Sequence, residues 1–320
     1  MSDPEQPVGD PWMWHMRGGD FARAWEISDA ILRSRRVAPC WHLPRHEQAL
    51  WDGTPVDGRI VLVRCYRGLG DTIQFARYLP LLRQRAAHVI LWAHAPLIPL
   101  LQTVDPGIEI LPLHDGDPAM AHDVDLEIME LGHVFRSTLE TLPREVPYIH
   151  VEPAPLSRRS MPRVGLVWRA GDWAEHRSVP FDQLEALVAL AVDWYVLQGH
   201  PGLAERPAGF GTVAGERDLV ELARVMRALD LVITVDSMAA HLAGALAVPV
   251  WTLLHAACDW RWMVGRDDSP WYPTMRLFRQ ERDGHWEEVV ARVAEELGGA
   301  YGNARARGAS APGLRWHRGQ

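Results

Sequence analysis

Short runs of apolar residues alternate along the chain with longer segments of helical periodicity. In the first half, apolar runs predict strands at residues 59–66, 88–93, 108–113 and 124–129. The segments between them predict helices at residues 71–86 and 96–102, the first of which can be kinked at Pro80. This alternation is typical of a parallel, doubly wound sheet.

The same alternation restarts after residue 162. Strands are predicted at residues 163–169, 194–198, 230–235 and 249–254, and helices at residues 181–191, 218–229, 237–247 and 284–297. Residues 151–162 are rich in proline and polar side chains, so they are predicted to link two domains. We therefore predict an α/β protein with Rossmann-like domains at residues 59–150 and 163–298, which face a central cleft where ligands bind.

The two ends of the chain depart from this alternation. Residues 1–58 form a predicted N-terminal extension, in which residues 19–36 have the apolar spacing of one helix. This helix resembles one helix of a tetratricopeptide repeat, but a repeat solenoid needs about three repeats, so we interpret it as a packing helix. Residues 1–10 and 299–320 are predicted to be disordered.

The composition limits the available chemistry. The chain has 320 residues, enough for two domains, and its formal net charge of −8 argues against nucleic acid as a partner. All 33 basic residues are arginine, so phosphate recognition would depend on arginine, backbone N–H groups and helix N-termini. The three cysteines form no CxxC pair, and no apolar run is long enough for a membrane span, so we expect a cytoplasmic protein.

The first candidate motif, residues 67–80, follows a predicted strand. Gly68 and Gly70 allow a tight turn, and the following helix is predicted to open at Asp71. The motif lacks the third glycine of a dinucleotide fingerprint and the lysine of a P-loop. Asp71 fits two roles, a helix N-cap or a general base at the cleft, and these conflict because a capping carboxylate has a lowered pKa.

The second candidate motif, residues 235–251, is a strand end followed by a helix of small residues. Asp236 and Ser237 form the turn, and a helix N-terminus with a serine and backbone N–H groups suits a diphosphate. Asp236 and Ser237 are equally compatible with simple caps. His241, inside the helix, is compatible with a ligand contact or with a core histidine.

Two further segments combine charged and aromatic residues. The loop at residues 166–180 contains Arg169 and Arg177, natural phosphate partners in a loop that could also be merely solvated. Residues 258–280 interleave tryptophans with charged residues, among them Trp260 and Arg261. This second pattern fits a sugar or nucleobase wall, and it fits a domain-packing surface as well.

Metal sites are not predicted. The pairs Asp115/Asp117 and Asp123/Asp125 match the short DxD pattern of metal-dependent transferases, which arises often by chance. His42 and His46 are separated by a proline and lack a third ligand.

Taken together, these segments resemble the heptosyltransferase family, glycosyltransferase family 9, over residues 50–297. The resemblance is carried by residues 68–82, 229–251, 259–263 and 269–280, and it is closest to the family-9-like domains linked to tetratricopeptide repeats. It implies a GT-B fold, with the acceptor in the N-terminal domain and the nucleotide sugar in the C-terminal one. It also implies an inverting transfer without metal or cofactor, with an ADP-heptose-like donor as one option and a saccharide, lipid-linked or peptide acceptor.

The resemblance also assigns residue roles. Asp71 matches the position of the catalytic base, in a cleft loop that includes Gly68, Gly70, Thr72 and Gln74. Asp236, Ser237 and His241 match the family's Asp-Thr-x-x-x-His-Leu donor motif, with serine replacing threonine, and Arg169, Arg177 and Ser178 lie in the loop that contacts donor phosphates. Two alternatives remain: a GT-B-fold epimerase or hydrolase, and a non-catalytic module that binds nucleotide sugars.

Overall fold

A computed structural model describes residues 10–35, 43–45, 48–114, 116, 119–157 and 161–302. The described chain begins with two helices, α1 (Pro11–Gly18) and α2 (Phe21–Arg35). The sequence predicted α2 but not α1. Helix α1 is capped at its start by Asp10, which accepts the Trp12 N–H at 2.9 Å, and at its end by Gly19, whose φ of 80° favours glycine.

The first domain has a four-stranded parallel sheet in the order β3-β2-β1-β4. Its strands are β1 (Ile60–Arg64), β2 (His88–Ala93), β3 (Glu109–Pro112) and β4 (Val124–Glu127). Its helices are α3 (Leu69–Phe75), α4 (Leu79–Arg85), α5 (Ile98–Leu101) and α6 (Leu131–Val134). The helix predicted at residues 71–86 begins two residues earlier and is divided by a 3₁₀ turn, Ala76–Tyr78, because Pro80 lacks the N–H that a continuous helix needs.

The second domain has a six-stranded parallel sheet in the order β10-β9-β8-β5-β6-β7. Its strands are β5 (Arg163–Val167), β6 (Asp193–Val196), β7 (Thr212–Val213), β8 (Leu231–Val235), β9 (Val250–Leu254) and β10 (Met275–Arg279). Its helices are α7 (Glu185–Val188), α8 (Leu219–Arg227), α9 (Met238–Ala245) and α10 (Trp286–Gly302). The first strand lies at the centre of this order, as in a Rossmann fold, which confirms the predicted fold class.

The two domains share buried packing. One apolar cluster runs continuously from α2 through the helices of the first domain to α8 and α9 of the second. A separate cluster covers the other face of the second sheet and includes α10. Helix α3 packs directly against α9, so the two domains touch along these helices at the carboxyl ends of their sheets.

The structure adds detail at the predicted tail and at the predicted linker. Helix α10 continues to Gly302, so the tail predicted from residue 299 begins in a helix; residues 303–320 and residues 1–9 lie outside the described ranges. The predicted linker packs against the protein, since the Ala154 N–H donates to the Arg224 carbonyl at 2.8 Å. Within the described ranges, the helices are all too short or too polar to cross a membrane.

Candidate functional site

Asp71 lies in the first turn of α3, where its carboxylate points back along the helix. The helix begins at Leu69 with Gly68 as its N-cap, and Asp71 Oδ2 accepts the Gly68 N–H at 3.1 Å. Asp71 is therefore not the N-cap that the sequence suggested. Its carboxylate completes the capping from the third helical position instead, which leaves the other oxygen, Oδ1, for a different contact.

That second contact comes from the other domain. Arg261 Nη2 lies 2.7 Å from Asp71 Oδ1, and the Arg261 side chain is only 8% exposed. The same guanidinium lies 3.3 Å from Asp259 and over the Trp260 ring at 5.3 Å. The sequence suggested that Arg261 forms part of a wall for a sugar or nucleobase. In the structure its guanidinium contacts Asp71, the candidate general base. This ion pair therefore connects the two domains at their junction.

The strand-to-helix turn after β8 holds a buried ion pair. Asp236 is buried, and its Oδ2 lies 3.2 Å from Arg177 Nη1. Burial raises the pKa of Asp236, while the positive charges of Arg177 and Arg261 oppose that change. Since a buried carboxylate needs a partner, Asp236 fixes the position of Arg177 beside the start of α9.

Ser237 is the N-cap of α9, and its backbone is extended. Its Oγ lies 3.2 Å from Thr234 Oγ1, so within the described residues its side chain does not cap the helix N–H groups. The N-terminus of α9 adjoins the Asp71 turn, since a Cβ at Gly70 would lie 3.4 Å from the Met238 Cα. The positive end of the α9 dipole thus faces the junction, as an anion site requires.

His241 is buried inside the contact between the two domains. Its Nδ1 lies 3.0 Å from the Tyr272 hydroxyl, and its ring stacks on Trp262 at 5.2 Å. Burial and the nearby arginines hold the pKa of His241 well below its usual value, so the imidazole is neutral. In this structure it packs under Gly70, whose Cβ, if present, would lie 2.9 Å from His241 Cδ2.

The residues of the predicted donor-phosphate loop have partners in different places. Arg177 joins Asp236, but Arg169 extends to Glu205 at 2.5 Å and towards Glu175 at 3.5 Å. Ser178 accepts the Ala170 N–H at 3.0 Å, and Arg169 and Ser178 line a separate surface depression of about 370 Å³. Arg169 and Ser178 thus line a depression to which Arg177 and Asp236 do not contribute in this structure.

Two residues of the predicted cleft loop are fully buried within α3. Thr72 Oγ1 donates to the Gly68 carbonyl at 3.3 Å, which stabilises the first helical turn. Neither side-chain polar atom of Gln74 has a hydrogen-bond partner among the described residues. Thr72 and Gln74 are therefore buried residues of α3 in this structure and do not line an open loop.

Sequence reasoning missed Glu127, at the carboxyl end of β4. This side chain is 2% exposed, and its Oε2 accepts the Met129 N–H at 2.8 Å. Burial raises the pKa of Glu127 to about 8, and the negative charges of Glu130 and Asp71 raise it further, against the opposing effects of the Met129 N–H and Arg67. Glu127 is the last residue of β4, the strand next to β1. This position could have identified it from the sequence, because functional groups gather at the carboxyl ends of parallel strands.

The acidic pairs considered for metal binding have other partners. Asp123 accepts the Ile60 N–H at 2.9 Å, and Asp125 forms an ion pair with Arg64. The described residues contain no group of three potential metal ligands. Asp115, Asp117, His42 and His46 lie outside the described ranges.

Comparison with known proteins relates part of this chain to one family. Residues 201–283 match the model of glycosyltransferase family 9, the heptosyltransferases. Over 318 residues the chain is 24% identical to Protein FlbA of Caulobacter vibrioides, an alignment that covers 87% of this chain and 52% of FlbA. The chain thus spans about half the length of this relative.

Solved structures share the fold. The family 9 glycosyl transferase of Veillonella parvula matches with a TM-score of 0.54 and 16% identity, over 75% of this chain and 97% of that one. The ADP-heptose LPS heptosyltransferase II of E. coli matches with a TM-score of 0.54 and 16% identity, over 75% of this chain and 98% of that one. The chain therefore has the GT-B fold of family 9 glycosyltransferases, and this fold, with the match at residues 201–283, supports a glycosyltransferase.

Proposed function

We propose that the chain is an inverting, metal-independent glycosyltransferase that moves a sugar from a nucleotide-sugar donor to a hydroxyl acceptor. The observation that carries the proposal is the contact of Asp71 with Arg261, 2.7 Å apart at the junction of the two domains. The proposed general base of the first domain thus contacts an arginine of the second domain. The contact lies at the carboxyl ends of the two sheets, where α/β proteins bind their ligands.

On the donor side, positive charge comes from Arg177 and from the N-terminus of α9. The buried carboxylate of Asp236 orients Arg177, and Ser237 begins the helix. These groups would stabilise the diphosphate as it leaves, so the proposed transfer needs no metal ion. We propose an ADP-heptose-like donor, by analogy with the E. coli heptosyltransferase II.

On the acceptor side, Asp71 acts as the general base. Hydrogen bonds from Gly68 and Arg261 hold its carboxylate in one orientation. The acceptor oxygen bonds to the anomeric carbon while the bond from that carbon to the diphosphate oxygen breaks, and the acceptor proton moves to Asp71. Attack from the side opposite the diphosphate inverts the anomeric configuration. Base catalysis of this kind contributes about 10²–10⁴ in rate.

Several finer features remain predictions of the same proposal. They are the cytoplasmic location, the absence of a nucleic-acid partner, the class of acceptor and the kinship with repeat-linked family-9-like domains. The alternatives, an epimerase or hydrolase and a non-catalytic binding module, share the proposed donor site and differ only in what happens to the bound sugar.

The proposal is tested on the wild type and the Asp71→Asn variant with ADP-heptose as donor and a panel of saccharide, lipid-linked and peptide acceptors, in buffer containing EDTA; ADP release without an acceptor is measured separately, because it would report the hydrolase. The measurements are ADP binding by calorimetry, ADP release from the donor, and sugar products by mass spectrometry and NMR. We expect the wild type to bind ADP and to release it from the donor in EDTA. We expect Asp71→Asn to keep its ADP affinity but to release ADP about 10²–10⁴ times more slowly, with a lower melting temperature because the buried Arg261 loses a charged partner.

The matched control is Asp57→Asn, an exposed aspartate that is also paired with an arginine, Arg85; this variant should retain full activity. ADP binding without any release by the wild type would favour the binding module, and an isomerised sugar nucleotide would favour the epimerase. Activity that is lost in EDTA and restored by Mn²⁺ would contradict metal independence. An Asp71→Asn protein active within a few fold would exclude Asp71 as the base.

A further inference from the structure

A cavity of about 340 Å³ lies between the N-terminal helices and the carboxyl edge of the first sheet. Helices α1 and α2 form its roof, and aromatic rings from three parts of the chain form much of its wall. These rings belong to Trp12, Trp25, Phe75, Trp260 and Trp271. Flat apolar faces of this kind suit a ring-sized group that carries C–H bonds on its faces.

Glu127 supplies an unusual polar atom to this cavity. The side chain lines the cavity and is 2% exposed, and among the described residues its Oε1 has no hydrogen-bond partner. Leaving a buried oxygen unpaired is costly, so such atoms call for an explanation, and a bound ligand that hydrogen-bonds the oxygen is one. Burial raises the pKa of Glu127 to about 8, so near neutral pH the carboxyl is uncharged and can both donate to and accept from a hydroxyl.

The cavity adjoins the candidate base. Arg67 and Phe75, which line it, lie on either side of Asp71 in the chain, and the charge of Asp71 contributes to the raised pKa of Glu127. Trp260, on the opposite wall, directly precedes Arg261, which contacts Asp71. Asp71 itself does not line the cavity, so a ring held there would have to extend a hydroxyl past Arg67 or Phe75 to reach the carboxylate that would take its proton.

The charges around the cavity limit what can enter. Asp10, Glu127 and Glu130 line it, against the cationic Arg67 and against His133, which pairs with Asp29 at 2.8 Å. Near neutral pH the charged carboxylates are Asp10 and Glu130, which outnumber the one arginine, Arg67, so an anionic ligand is disfavoured while the uncharged Glu127 can still hydrogen-bond a hydroxyl.

We propose that this cavity is the acceptor site and that it receives an uncharged, hydroxyl-bearing ring, which stacks on the tryptophans and hydrogen-bonds Glu127. The assignment of the ring as an acceptor rests on the proposed transferase function. It deepens that function, because it excludes phosphorylated and carboxylated acceptors. It also gives the N-terminal helices a role in substrate recognition.

The test uses two probes of equal size that differ in charge, phenyl β-D-glucoside and phenyl β-D-glucuronide, with binding measured by calorimetry and ligand-observed NMR. We expect the glucoside to bind at least tenfold more tightly than the glucuronide. Glu127→Ala should weaken glucoside binding by about tenfold, since one hydrogen bond is lost.

A matched pair of variants locates the binding. Ile31 lines the cavity at an exposed position of α2, so Ile31→Trp should block it, whereas Ala30→Trp, at the next exposed position and off the cavity, should leave binding unchanged. Because these variants lie on an exposed helix surface, they should fold, and their unchanged ADP affinity would confirm it.

Absence of glucoside binding, equal affinity for both probes, or insensitivity to Ile31→Trp would overturn the acceptor-site proposal. None of these measurements depends on turnover. A protein that binds glucoside through the cavity but never releases ADP from a donor would instead contradict the proposed transferase function, and the cavity would stand as a ligand site alone.

Discussion

At the scale of single residues, Glu127 shows how position sets chemistry. An exposed glutamate is ionised at neutral pH, but Glu127 is buried at the end of β4, where burial and the charges of Glu130 and Asp71 raise its pKa to about 8. In the unfolded chain its pKa returns to the ordinary value of about 4.5. Between these two values the folded protein holds a proton that the unfolded chain releases, so stability must depend on pH in this window.

This dependence gives a prediction. As pH rises from 5 to 8, Glu127 should lower the free energy of unfolding, because the folded state binds more protons; above pH 8 its effect should level off. Each pKa unit between the folded and unfolded states corresponds to about 1.4 kcal/mol. Urea unfolding at successive pH values should show that Glu127→Gln removes this decline. Glu145→Gln, the same change at an exposed site, should keep the wild-type profile, and parallel profiles for wild type and Glu127→Gln would contradict the argument.

Asp71 and the arginines of the candidate site show which single residues could be predicted from the sequence. The turn pattern identified Asp71 because the relevant residues are neighbours in sequence. Its partner Arg261 is distant in sequence, and nothing in a local pattern shows that a loop of the second domain reaches it. Arg169 and Arg177 look equivalent in sequence. Only the fold shows that Arg177 meets Asp236 and that Arg169 meets Glu205.

At the scale of elements, the close contact of α3 with α9 depends on a missing side chain. Gly70 lies in the first turn of α3, where a Cβ would approach His241 Cδ2 to 2.9 Å and the Met238 Cα to 3.4 Å. His241 is held on its other sides by Tyr272 and Trp262, so it has little room to move. A side chain at position 70 would therefore push the two helices apart.

Gly70→Ala and Gly68→Ala make a matched pair in one helical turn. By helix propensity alone, alanine should be favourable at position 70 by about 1 kcal/mol and unfavourable at the N-cap position 68. The packing predicts the opposite order, since a Cβ at Gly68 meets only Asp71 Oδ2, at an ordinary 3.4 Å. We expect Gly70→Ala to lose about 1–3 kcal/mol in urea unfolding and much of its donor turnover, and Gly68→Ala to lose less. The reverse order would show that α3 and α9 are not tightly packed.

The positions of the strands were the feature that the sequence predicted most completely. Apolar runs located eight of the ten strands because strands buried on both faces have a continuous apolar pattern. Strand β10 was missed because Arg276 and Arg279 interrupt its apolar residues, inside a segment whose tryptophans suggested a ligand wall. The two-residue β7 is too short to leave a pattern.

At the scale of the whole molecule, one buried arginine joins the domains. Arg77 lies between α3 and α4, and it donates to the Pro143 carbonyl at 3.1 Å and to the Trp271 carbonyl, in the second domain, at 2.6 Å. Its guanidinium also lies over the Tyr272 ring at 4.5 Å. The Trp271 carbonyl is buried and the Pro143 carbonyl is part-buried, so Arg77 satisfies groups of both domains at once. The apolar cluster around it is continuous from one domain to the other.

Because Arg77 and the apolar cluster connect the two domains, we expect the domains to unfold together in one transition. We also expect this cooperative unfolding to depend on Arg77. Arg77→Met fills a similar volume but leaves the Pro143 and Trp271 carbonyls without their donor, at a cost of about 2–4 kcal/mol. Arg83→Met is the control, because Arg83 is 52% exposed and its ion pair with Asp105 should contribute about 1 kcal/mol or less. In guanidinium chloride, followed by tryptophan fluorescence and circular dichroism, the wild type and Arg83→Met should show one coincident transition. Arg77→Met should unfold earlier, with transitions that separate as the domains uncouple. A single coincident transition at the wild-type midpoint for Arg77→Met would mean that the apolar cluster alone couples the domains.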